Sequence, residues 1–222
     1  MKNAKCKAPL RSFLSEDKSV VDSKIMAIDK GKAFERACEV LQGGGVIVVP
    51  TETVYGLGAD AFNPSAVRRV YAIKGRDFAK PLSLLVSDER MLREVVAAVP
   101  DVAKTLMRRF WPGPLTLVFK ASDAVPREAL GGGETVAVRL SSSPVVRRLL
   151  DLYGRPLTAT SANRSGCGSA RSAQEAMAQV GEEVDLILDG GPSGNEAPST
   201  VVDVSGGKAR TLRQGGLQIG DW

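Results

Sequence analysis

Lys74 and Arg76 stand either side of Gly75, at the end of a run with helical spacing. Upstream, Pro50-Thr51-Glu52-Thr53-Val54-Tyr55-Gly56-Leu57-Gly58 follows the apolar run Val46-Ile47-Val48-Val49. Two cations so placed supply fixed positive charge for a phosphate or carboxylate. Hydroxyls and free backbone N–H groups after a strand sit where open α/β sheets bind ligands. Further polar groups collect at residues 114–116, at Ser161-Ala162-Asn163, and at Ser199-Thr200 with Arg213. Each segment alone also reads as ordinary architecture. A Thr after a strand is often a cap, Lys-Gly-Arg is a helix C-cap with dipole-favoured cations, and Ser-Ala-Asn is a turn. Their joint occurrence at the edges of one expected sheet points to a site for a small anionic ligand of nucleotide type.

The residue types narrow the chemistry. The chain has no histidine, which excludes Ser-His-Asp and Cys-His catalysis and every His-ligated metal site. Cys6, Cys38 and Cys167 are too few and too scattered for a zinc site or a disulfide framework, and a reducing, cytoplasmic setting fits. No P-loop is present: Gly43-Gly44-Gly45 precedes a strand, and no Gly-Lys-Ser/Thr follows. A site of Lys, Arg, Ser, Thr and Asn works by position and electrostatics, which suits phosphoryl or nucleotidyl transfer. Glu52 and Asp60 are candidate acids; Glu52 reads equally as a partner of Lys74 or as a solvent-facing group.

The elements that must position these groups follow from periodicity. Helices are expected over residues 33–42, 64–74, 88–98, 101–110, 144–153 and 173–180, with Asn63-Pro64 and Ser172…Glu175 as start signals and Gly75, Gly154 and Gly181 as stops. Strands are expected over residues 46–49, 82–86, 115–119, 136–140, 157–160, 184–188, 200–204 and 208–212. The interleaving predicts a single α/β domain with an open mixed sheet over residues 25–222, preceded by a polar, flexible arm over residues 1–24. With 30 Lys plus Arg against 25 Asp plus Glu, the net charge of +5 is mildly basic. The longest apolar runs are far below a membrane span, and the basic N-terminus lacks the apolar core of a secretory signal.

Taken in order, several segments resemble a known family. They are Pro50–Gly58, Lys74-Gly-Arg76, Lys80-Pro-Leu82, Pro112-Gly-Pro-Leu-Thr116, Val138-Arg139, Ser161-Ala-Asn163 with Ser165-Gly166, Asp189-Gly-Gly191 and Ser199-Thr-Val-Val-Asp203. Together they resemble the YrdC-type threonylcarbamoyl-AMP synthases over about residues 30–215. The resemblance implies a twisted mixed α/β sheet around a large basic concavity. It implies condensation of L-threonine, bicarbonate (or CO2) and ATP into L-threonylcarbamoyladenylate, with Mg2+ accompanying the ATP. A downstream transferase would then pass the threonylcarbamoyl group to adenosine 37 of ANN-decoding tRNAs.

By position, Lys74, Arg76, Ser161 and Asn163 match the family's catalytic tetrad around the reacting carbamate and phosphates. Thr51, Arg139 and Ser199 match threonine-side positions. Thr116, Ser169 and Arg213, with Lys74, Ser161 and Asn163, match nucleotide-side positions, and no metal ligand is implied. Two departures stand out. Many relatives carry a histidine shortly after the Pro-Leu near Leu82, where this chain runs Leu84-Leu85-Val86; and longer relatives add a C-terminal domain over the site, whereas this chain ends at Trp222. The N-terminal arm is expected to take over that closure. The runner-up reading is a double-stranded RNA or tRNA-binding module without catalysis; an aromatic content of 5% offers it no stacking platform. A third, the carbamoyl-transfer domain of hydrogenase maturation factors, requires acylphosphatase and zinc-finger segments that are absent here.

Overall fold

The computed structural model describes residues 24–28, 31–194 and 197–220. Apart from Lys24, the arm expected over residues 1–24 lies outside them. Among the described residues a ten-stranded sheet runs in the order β1-β8-β2-β3-β7-β4-β6-β5-β9-β10. Its strands are β1 (Ile25–Ala27), β2 (Ile47–Pro50), β3 (Tyr55–Gly58), β4 (Ser83–Leu85), β5 (Leu115–Lys120), β6 (Thr135–Arg139), β7 (Leu157–Ser161), β8 (Leu186–Asp189), β9 (Thr200–Asp203) and β10 (Arg210–Arg213). The helices are α1 (Lys32–Gln42), α2 (Pro64–Lys74), α3 (Glu89–Val95), α4 (Asp101–Phe110), α5 (Pro144–Tyr153) and α6 (Ala173–Val180). The sheet is mixed, as expected: β1–β8, β8–β2, β4–β6 and β5–β9 are parallel, and the remaining pairs antiparallel.

Two strands escape the sequence reading. Residues 55–58 form β3, a hairpin partner of β2 with Val49 opposite Gly56. Two glycines in four residues read as loop, yet all four are buried between β2 and β7, where neighbours on both sides replace intrinsic propensity. β1 is too short to show a period and is defined by its pairing with β8.

The helix signals operate as expected. The Asn63 side chain accepts from Ser65 and Ala66 N–H with Pro64 at the first turn, a cap that contributes about 1 kcal/mol. Gly75 ends α2 in the left-handed region at φ 56°, where its N–H reaches Ala72 O. Ser172 caps α6 through Glu175 N–H, while the Glu175 carboxylate turns back to Arg171 N–H. Cys38 is free.

Tyr55 locks the β3 side of the sheet to the segment after β8. Fully buried, it donates to Gly191 O at 2.6 Å, and Gly190 N–H donates to its oxygen at 3.3 Å. Burial, with Asp189 alongside, pushes the phenol up to about 12. Asp189-Gly190-Gly191 is therefore a structural bracket, and Gly190 leaves no room for a side chain because a Cβ there would meet Pro50 Cγ at 2.8 Å. Removing the hydroxyl deletes its hydrogen bonds to Gly190 N–H and Gly191 O, which lie in a partly exposed turn, so Tyr55→Phe is expected to lower unfolding free energy by about 1 kcal/mol in urea titrations. An unchanged midpoint would show that the bracket carries no stability.

Candidate functional site

The turn from β2 into β3 is held by Thr51. Its hydroxyl accepts from Thr53 and Val54 N–H at 3.1 and 3.2 Å and donates to Val54 O at 2.7 Å. The left-handed turn at Gly75 separates the two cations of the Lys-Gly-Arg segment. Lys74 points inward, 3% exposed. Arg76 passes to the other side, where its Nε and Nη2 donate to Lys80 O and Pro81 O, both at 3.1 Å.

Lys74 Nζ donates to Ser161 O at 2.6 Å, Asn163 O at 3.0 Å and Asn163 Oδ1 at 2.9 Å. Three protons thus meet three oxygens at the end of β7, and the Ser161 hydroxyl donates to the same Asn163 Oδ1. Burial, reinforced by Arg76, lowers the ammonium to about 8. It therefore stays charged at neutral pH. The segment is tied further by Ser165 N–H to Lys74 O and by Ala162 N–H to Tyr55 O, each at 2.8 Å.

The other wall comes from β5, β6, β9 and β10. Parallel pairing sets Leu115 against Thr200, which brings the Thr116 and Ser199 hydroxyls to 2.8 Å. Arg213, at the end of β10, donates to Ser199 O at 2.9 Å and Ser199 Oγ at 3.3 Å. Burial and Arg76 both lower the Arg213 guanidinium. Arg139 ends β6, is 7% exposed, and donates to Thr53 Oγ1 at 3.2 Å. Burial lowers its guanidinium too, opposed by Glu52 and aided by Arg213.

These walls enclose a cavity of about 320 Å³. Thr51, Arg76, Thr116, Arg139, Ser161, Ser169, Ser199 and Arg213 line it, over an apolar floor from Val49, Leu57, Leu82 and Leu85. Lys74 and Asn163 lie behind Ser161 and support it, so the cations, hydroxyls and amide matched to the family from the sequence converge on one place. Ser169 is an exposed residue of the rim.

Both candidate acids differ from the sequence reading. Glu52 does not reach Lys74. Its Oε2 accepts from the Ser141 hydroxyl and its Oε1 stands 3.7 Å from Arg139 Nη1. Asp60 lies elsewhere, 3% exposed, accepting from Tyr153 OH at 3.0 Å, Phe62 N–H at 2.9 Å and Arg155. It borders a separate surface hollow with Gln42, Phe62 and Asn63. Sequence reasoning missed Thr53 and Ser141 as partners of this arginine and carboxylate. The run Ser141-Ser142-Ser143 before Pro144 was the available signal, since Ser143 caps α5 and its hydroxyl donates to Pro50 O at 3.0 Å. No group of three His, Cys, Asp or Glu among the described residues could hold a metal ion. No helix among them is long and apolar enough to cross a membrane.

This chain is similar to known proteins in sequence and fold. The Sua5/YciO/YrdC family model, described as telomere recombination, matches residues 39–215. A threonylcarbamoyl-AMP synthase of Pyrococcus abyssi is 39% identical over 82% of this chain, which spans about half of that relative, 54% of its length. The Vibrio cholerae threonylcarbamoyl-AMP synthase is 39% identical over 82% of this chain and matched over 97% of its own length. The crystal structure of P. abyssi Sua5 complexed with L-threonine superposes with a TM-score of 0.83 at 37% identity, covering 87% of this chain and 58% of that one. A mixed sheet, a cavity walled by cations and hydroxyls, and a match along most of the sequence agree: this chain belongs to the Sua5/YciO/YrdC family.

Proposed function

We propose that this chain condenses L-threonine, bicarbonate (or the CO2 derived from it) and ATP into L-threonylcarbamoyladenylate and pyrophosphate. The product would supply a separate transferase that modifies adenosine 37 of ANN-decoding tRNAs. One observation carries the reading: Arg76, Arg139 and Arg213 line a single cavity with hydroxyls from several segments, and Lys74 stands directly behind it. Relatives of full matching length that are named threonylcarbamoyl-AMP synthases support it.

The threonine amine attacks CO2, loses a proton and becomes a carbamate. A carbamate oxygen then attacks the α-phosphorus of ATP, the bond to the bridging oxygen breaks, and pyrophosphate leaves. Nucleophile and electrophile are both anionic, so the site must hold like charges together. Arg139, with Thr51 beside it, is placed for the threonine carboxylate. Arg76 and Arg213 form no salt bridge among the described residues and are free to face phosphates. Thr116, Ser169 and Ser199 offer hydroxyls on the nucleotide side. Lys74, with every proton engaged by Ser161 and Asn163, sets the position of that segment and adds its charge from behind. Among the described residues the cavity has no carboxylate cage, so Mg2+ arriving with ATP would be held by phosphate and water, the common mode for this ion.

Omitting ATP, bicarbonate or L-threonine in turn should abolish pyrophosphate release from the complete mixture. Release that ignores threonine would refute the reaction. Arg76→Ala should lower kcat/KM by about a hundredfold with the fold intact by circular dichroism, the usual loss when one preorganised donor is removed. A loss of only a few-fold would remove Arg76 from the chemistry. The Lys74 charge is present below its pKa of about 8 and lost above it. ATP affinity should therefore weaken as pH rises through 8, and calorimetry at pH 8.5 in buffers of different ionisation enthalpy should register proton uptake on binding. Binding that neither weakens nor takes up protons would contradict a titrating Lys74.

A further inference from the structure

The cations of the cavity are not alike. Lys74, Arg76 and Arg213 donate to carbonyl or hydroxyl oxygens and meet no carboxylate among the described residues. Arg139 does meet one. The Glu52 side chain is 14% exposed and the Arg139 side chain 9%, and Glu52 Oε1 stands 3.7 Å from Arg139 Nη1. That oxygen is buried and has no hydrogen-bond partner. A carboxylate oxygen buried without a donor is costly unless a nearby cation compensates it. The other oxygen is fixed by Ser141, itself fully buried, so the carboxylate cannot swing away. Glu52 does not line the cavity; it acts from behind Arg139.

We propose that Glu52 is a specificity-determining residue. By neutralising Arg139, it keeps polyphosphate off the carboxylate anchor and leaves phosphates to Arg76 and Arg213. The proposal rests on Arg139 being the anchor for the amino-acid carboxylate. A cavity that must seat a polyanion and a monocarboxylate side by side faces a sorting problem, because a bare buried guanidinium attracts the more highly charged ligand most strongly. Pairing one arginine with a fixed carboxylate builds repulsion toward the wrong anion into that subsite. A monocarboxylate offering bidentate geometry and an adjacent ammonium meets less repulsion than a pyrophosphate does. Glu52 is thus a positioning residue that acts through the charge of Arg139.

The probe is inorganic pyrophosphate, measured by calorimetry on the full chain without other substrates and then in competition with L-threonine. In the wild type, pyrophosphate should bind without displacing threonine. Glu52→Gln retains an oxygen for Ser141 and removes the charge. It should bind pyrophosphate about tenfold more tightly and let it compete with threonine. Glu52→Gln combined with Arg139→Gln should return pyrophosphate affinity to within about twofold of wild type. A gain in affinity is a change that structural damage would not produce. Should Glu52→Gln fail to fold, Glu52→Asp, which withdraws the charge from Arg139, should show a smaller gain of the same sign. Unchanged or weaker pyrophosphate binding in the folded variant overturns the proposal, whatever threonine does. A wild type that binds pyrophosphate but no threonine would refute the proposed substrate, while the pyrophosphate gain in Glu52→Gln would still decide the neutralising role.

Discussion

The contact between the Lys74 ammonium and the oxygens of Ser161 and Asn163 joins the two halves of this site. It spans 87 residues of sequence to Ser161 and 89 to Asn163. A buried ammonium is tolerated only when its donors are engaged, and here each of three protons has an oxygen. Arg76 two residues later and Ser161 in the facing strand are placed by that same contact. Loss of the ammonium would remove the side-chain anchor at the end of β7 and one of the positive charges around the cavity.

Around this anchor the protein spends hydrogen bonds on its own walls. Thr51 organises its own turn, Thr116 holds Ser199, Arg213 holds the backbone of Ser199, and Arg76 holds residues 80 and 81. The polar groups are thereby preorganised: they point inward before a ligand arrives, and binding need not order them. The cost is a concentration of positive charge, visible in the lowering of Lys74 and Arg213 by burial and Arg76, and of Arg139 by burial and Arg213. The proposed chemistry, which joins two anions, would make use of that concentration.

Much of this was legible in the sequence. Caps and stops such as Asn63-Pro64, Gly75 and Gly154 fix helix ends through local backbone physics, so α2 and α5 were readable from nearby residues alone. The site residues announced themselves by type, as cations and hydroxyls at strand ends. Their pairing did not. That Thr116 meets Ser199, or that Glu52 chooses Arg139 over Lys74, depends on strand register and on which face a turn exposes. β3 was hidden for a related reason: Tyr55-Gly-Leu-Gly58 has little strand propensity of its own and owes its conformation to β2 and β7. Asp60 misled because a carboxylate near a motif looks catalytic, whereas here Tyr153, Arg155 and a backbone N–H use up its oxygens.

In the proposed reaction one cavity assembles mutually repelling ligands on distinct cations. A crystal structure of the protein with L-threonine and a non-hydrolysable ATP analogue tests it most directly. The threonine carboxylate should lie on Arg139 and the phosphates against Arg76 and Arg213, with the threonine nitrogen facing the α-phosphorus. Either ligand bound outside this cavity, or phosphates seated on Arg139, would contradict it.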